Sequence, residues 1–136
     1  MKKVLISALA IILMFSLVAC SSNKLADSFK EDEVVAKAKN VVETINTKDF
    51  DAVAAMERED LQDQLGADKL KSALEAPLED AGAFKEYKTV VTYGMKDKSA
   101  DEDYAVCILV CKYENATHKF TLSFDKDLKI VGLYMN

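Results

Sequence analysis

A change of hydrophobic period at Phe84 constrains this chain more than any other feature. Before Phe84, apolar residues recur at helical spacing. After it, runs rich in Val, Thr and Tyr take over, with the two-residue alternation of strands. Helices followed by strands, rather than the two in alternation, predict an α+β fold. Its three N-terminal helices pack on one face of a curved, cone-like, four-stranded antiparallel sheet.

The helical half divides at its turn residues. Ser28-Phe-Lys-Glu31 matches a capping box, with Asp27 as a rival cap. Val34, Val35, Ala38, Val41, Val42 and Ile45 then form one apolar face of a first helix ending near Asn46-Thr47. A second helix is expected from about Lys48 or Asp49, with Phe50, Val53, Ala54 and Met56 turned inward. Glu57-Arg-Glu-Asp60 reads as a solvated charged exit, and Leu61 and Leu65 return to the core before a stop at Gly66. A third helix runs from about Ala67 through Leu70, Ala73, Leu74 and Leu78. Pro77 is expected to kink or divide it, and Gly82 to close it.

The strand half reads as Tyr87–Met95, Tyr104–Tyr113, Thr117–Phe124 and Leu128–Met135, joined by short turns that favour a meander. Tyr104–Tyr113 is apolar on both parities: Val106, Ile108 and Val110 on one side, Ala105, Cys107, Leu109 and Cys111 on the other. Three helices can cover only one face, so the sheet is expected to need a second cover. The candidates are a second copy of the chain, another protein, or an apolar ligand held in the cone.

Upstream of the domain, Met1-Lys2-Lys3 precedes a 16-residue uncharged run, Val4 to Ala19. That run is shorter than the roughly 20 residues a spanning helix needs. It has the layout of a secretory signal peptide. Leu17-Val18-Ala19-Cys20 resembles the lipobox of bacterial prolipoproteins. The resemblance implies cleavage between Ala19 and Cys20 and a diacylglycerol thioether on Cys20. Residues 1–19 would then be a signal peptide, 20–27 a lipidated tether and 28–136 a single domain. Two or more acyl chains anchor stably where one is marginal. The expected location is the extracytoplasmic side of the cell membrane. Removing Lys2 and Lys3 leaves 16 basic against 23 acidic residues, a net charge of −7. So acidic a chain does not seek anionic lipid by electrostatics, and it lacks the basic clusters of a nucleic-acid binder.

Three further stretches of sequence carry a likeness. They are Gly82-Ala-Phe-Lys-Glu86 before the first strand and Phe124-Asp-Lys-Asp-Leu-Lys-Ile-Val-Gly-Leu-Tyr134 at the end, with Asn46-Thr-Lys-Asp-Phe50 between helices. With the lipoprotein signal, they resemble the domain-of-unknown-function family 3887, over about residues 33 to 135. That family is similar to the nuclear-transport-factor-2-like, or cystatin-like, cone superfamily. The resemblance implies the fold and a plug role for Phe84 at the helix-to-sheet junction. It brings no catalytic residues.

Chemistry-bearing motifs are sparse. His118 shares the parity of Phe120, Leu122 and Phe124, which places it at a strand entrance facing the cone. A lone histidine can act as a base, yet no polar partner is identifiable in sequence. Phe84, His118 and Phe120 are the candidate lining of a ligand pocket. Cys107 and Cys111 share a strand face about 13 Å apart. That is beyond the roughly 7 Å limit of a disulfide. They are expected to be buried free thiols, with an intermolecular pair as the alternative. Asp97-Lys-Ser-Ala-Asp-Glu-Asp103 lacks the ligand spacing of an EF-hand and reads as a hairpin loop. Asn115-Ala-Thr117 matches a glycosylation pattern but reads as a turn. No Gly-rich phosphate loop, HExxH, Gly-x-Ser-x-Gly or CxxC occurs. The sequence thus points to a non-enzymatic binding or association module without metal or cofactor.

Overall fold

The computed structural model describes residues 24–136. Among the described residues four helices precede four strands: α1 (Glu31–Asn46), α2 (Phe50–Ala55), α3 (Glu59–Gln62), α4 (Ala67–Ala81), β1 (Phe84–Asp97), β2 (Glu102–Tyr113), β3 (Thr117–Phe124) and β4 (Ile130–Met135). The strands form one antiparallel meander in the order β1-β2-β3-β4. The expected α+β architecture is therefore present, with the single turn of α3 added to the three helices read from sequence.

Local chemistry explains where the boundaries fall. α1 starts at Glu31 rather than Ser28, and Lys30 stands at its cap without a side-chain bond. Phe29 N–H donates instead to the Ala26 carbonyl at 2.9 Å. That turn takes up Asp27 and Ser28, so the capping box does not form. α2 does use its expected cap: Asp49 accepts from Ala52 N–H at 3.1 Å. Pro77 does not divide α4, which runs unbroken to Ala81. Gly82 then turns the chain at φ 78°, where a Cβ would lie 3.1 Å from Glu114. β1 is longer than its Val/Thr core, reaching from Phe84 to Asp97. Register shifts at Phe84/Glu86 and Tyr87/Thr89 mark bulges in its first half.

The core lies between the helices and one sheet face. Val34, Ala38, Val41, Val42 and Ile45 of α1 meet Cys107, Leu109, Phe120, Leu122 and Phe124, all fully buried. Leu25 and Ala26 pack at its margin. Gly94 matters here: a Cβ at that position would fall 2.3 Å from the Lys24 carbonyl oxygen. Only glycine lets the incoming chain cross β1 at that point.

Candidate functional site

Ala19 and Cys20 lie outside the described residues. The other residues proposed from sequence take three different places. Phe84 opens β1 half-buried, with its ring centroid 4.9 Å from Tyr87 and 5.6 Å from Tyr113. Tyr113 in turn stands edge-on to His118 at 5.5 Å. Phe84 and His118 thus join one aromatic row through Tyr113, a residue that sequence reasoning did not single out. The Tyr113 hydroxyl donates to Asn46 Oδ1 at 2.6 Å, and burial raises its pKa. Phe120 sits deeper, with no exposed surface. A cleft of about 220 Å3 opens beside the row, lined by Asn46, Lys48, Glu79, Phe84 and Tyr113 among others. Lys48 and Glu79 pair there at 3.3 Å. His118 and Phe120 do not line this cleft.

The sheet's second face is a different kind of surface. Strand register puts Val91, Tyr93, Met95, Ile108, Val110 and Tyr134 on the side away from the helical core. Val91 is 45% exposed, and the other five are half-buried. Tyr104, Val106 and Ser123 on the same face are buried. The two ends of the face differ in charge. Exposed Lys112 and Lys119 stand at one end, and the cross-strand pair Asp97 and Glu102 stands at the other.

Sequence reasoning missed a third cluster, at the strand ends near Glu102. Glu57 was expected to be solvated, yet it is 2% exposed and neither carboxylate oxygen has a hydrogen-bond partner. Burial pushes its pKa up to about 8. The cause is backbone geometry. Arg58 N–H donates to the Ile130 carbonyl and Ile130 N–H to the Met56 carbonyl, at 2.9 and 3.0 Å. This short parallel bridge fixes residues 56–58 along β4. A signal was present in sequence: Phe50, Val53, Ala54 and Glu57 fall at i, i+3, i+4 and i+7, although α2 itself ends at Ala55.

The neighbouring Arg58 is the hub of the same cluster. It donates to Asp60 and to Glu102, both at 2.8 Å, and lies 3.7 Å from Asp125. Its guanidinium also sits 5.8 Å from the Tyr104 ring centroid. The Arg58 bond holds the Asp60 carboxyl below its ordinary range. Chemically, Glu57 is a proton-holding acid sealed from solvent, and Arg58 ties the α2–α3 junction to β2 and to the β3–β4 turn. The described residues include no group of three or more His, Cys, Asp or Glu that could hold a metal ion. Nor is any of their helices long and apolar enough to cross a membrane.

Cys107 and Cys111 are free and fully buried on the helix-covered face. Burial pushes their thiols up to about 11 and about 12. Both stay protonated and unreactive near neutral pH.

Comparison with known proteins adds a family and a fold. No significant match is found among the curated proteins. An NMR structure of a protein from Ruminococcus gnavus ATCC 29149 superposes with a TM-score of 0.72 at 27% sequence identity. The match covers 83% of this chain and 96% of that one. Residues 38–133 match the family described as "Protein of unknown function (DUF3887)". That span takes in α1 from Ala38 onward, the Glu57–Arg58 junction and the whole sheet up to Leu133, and the chain belongs to this family.

Proposed function

We propose that the chain is a lipoprotein anchored through Cys20 on the extracytoplasmic side of the cell membrane. Its domain is a non-enzymatic association module of the nuclear-transport-factor-2-like type. The observation that carries the association role is the second face of the sheet. Val91, Tyr93, Met95, Ile108, Val110 and Tyr134 form an apolar band that the helices do not cover. Contiguous apolar surface of this kind marks interaction sites.

The partner this face fits best is a second copy. Lys112 and Lys119 lie at one end and Asp97 and Glu102 at the other. An isologous pair with antiparallel strands brings the basic end of each copy to the acidic end of its mate. A ligand held in the cone has less support, because Phe120, Leu122 and Leu109 fill the interior with no exposed surface.

Sedimentation equilibrium of the mature chain carrying Cys20→Ser tests the reading. Dimers are expected at micromolar concentration and monomers for Ile108→Lys, with the far-ultraviolet circular dichroism unchanged. A wild-type domain that stays monomeric overturns the self-association.

A further inference from the structure

The folded domain takes hold of its incoming chain at one defined place, and that place is the β1–β2 hairpin end of the sheet. Lys24 and Leu25 lie against Gly94, so closely that a Cβ there would stand 2.3 Å from the Lys24 carbonyl oxygen and 3.2 Å from the Leu25 Cα. Leu25 and Ala26 pack on the core, and the Phe29-to-Ala26 turn leads directly into α1. α1 therefore starts near the same end: Thr92, two residues before Gly94, donates to Glu31 in its first turn at 3.0 Å.

The opposite end lies far away. Tyr113 and Thr117 close the β2–β3 turn there, and Tyr113 reaches Asn46 at the last turn of α1. From Asp103 to Tyr113 the strand advances ten residues, about 33 Å.

We infer that the domain stands on the bilayer by its β1–β2 hairpin end, with the loop 98–101 toward the lipid headgroups and the β2–β3 turn pointing away. This rests on the reading of Cys20 as the lipidated residue. Lys24 follows Cys20 by four residue steps, a reach of at most about 14 Å. That is less than half the length of β2, so the tether cannot bring the far end to the surface while the clamp holds.

The same end is rich in acid. Asp97, Asp101, Glu102 and Asp103 border the hairpin, Glu31, Asp32 and Glu33 open α1, and Lys96 and Lys98 only partly offset them. Against an anionic leaflet this charge gives repulsion. It keeps the hairpin beside the headgroups without inserting it among them.

The native thiols make a clean test possible, because Cys107 and Cys111 are buried and Cys20 is blocked as a thioether. Lipidated protein is prepared with a single added cysteine, Ser99→Cys at the hairpin or Thr117→Cys at the far turn. Each is labelled with a donor dye and reconstituted in phosphatidylglycerol/phosphatidylethanolamine vesicles carrying a headgroup acceptor. Transfer at position 99 is expected to exceed that at 117 by several-fold. Gly94→Ala, which pushes the incoming chain off β1, should narrow the difference.

Vesicle flotation of the same samples separates the two ideas. Protein that fails to float overturns the Cys20 anchor and the orientation with it. Protein that floats with equal or reversed transfer overturns the orientation alone. An unchanged contrast in the folded Gly94→Ala variant overturns the clamp as its cause.

Discussion

Glu57→Gln tests the reading of the core most directly. Glu57 is 2% exposed, without a hydrogen-bond partner, and its pKa rises from 4.5 to about 8. The unfolded chain therefore releases this proton before the folded one does as pH rises. The stability contributed here is whole below about pH 4.5, falls by about 1.4 kcal/mol per pH unit up to about pH 8, and is level above that. At pH 7 the loss is about 3 kcal/mol, two and a half units above the unfolded value.

Glutamine keeps the shape and cannot ionise, so the variant lacks this slope. Urea unfolding of both proteins at pH 5, 6, 7 and 8 is the assay. The variant should match the wild type to within about 1 kcal/mol at pH 5. It should exceed the wild type by about 3 kcal/mol at pH 7, a rise in Tm on the order of 10 °C. A difference that stays constant from pH 5 to 8 refutes the reasoning, because Glu57 would then be ionised in the fold.

Two further outcomes follow from single contacts. Asp125 is 5% exposed, and its Oδ1 accepts from Asp127 N–H and Lys129 N–H at 3.0 and 2.9 Å. Asp125→Ala should cost about 2 kcal/mol in urea unfolding, and Asp125→Asn, which keeps an acceptor oxygen, distinctly less. Cys107 and Cys111 should resist a thiol reagent at pH 8 in the native protein, and both should react at once in denaturant. Fast native labelling of either would mean that β2 opens locally.

The sequence carried the architecture because periodicity is a long-range signal. β3 alternates cleanly from Thr117 to Phe124, and the strand occupies those same residues. α1 ends at Asn46, where its apolar stripe stops. Boundaries set by competing local bonds were less legible. The Ala26–Phe29 turn wins over the capping box, and nothing in the residue types ranks the two. Pro77 was expected to kink or divide α4, yet the helix runs through it undivided, with Leu74, Leu78 and Ala81 buried on either side. Their burial outweighs the hydrogen bond that proline removes.

The candidate sites divided in the same way. Phe84 and His118 are brought into one row only because Tyr113 stands between them, a cross-element contact with no sequence signature. Glu57 was misread because charge was weighed above position. It stands two residues beyond α2, where the bridge to Ile130 holds it against β4.

The length of β1 bears on how this protein survives at high concentration. As the first strand of an open sheet it leaves one row of backbone groups unpaired by any strand among the described residues. Between its bulges and the hairpin lies Thr89–Met95, seven residues without a charge and rich in β-branched types. Such a window is a template for edge-to-edge growth. Lys85, Glu86 and Lys88 on one flank and Lys96 and Asp97 on the other serve as gatekeepers that limit how far a neighbouring strand can zip. Neutralising those flanking charges removes that limit.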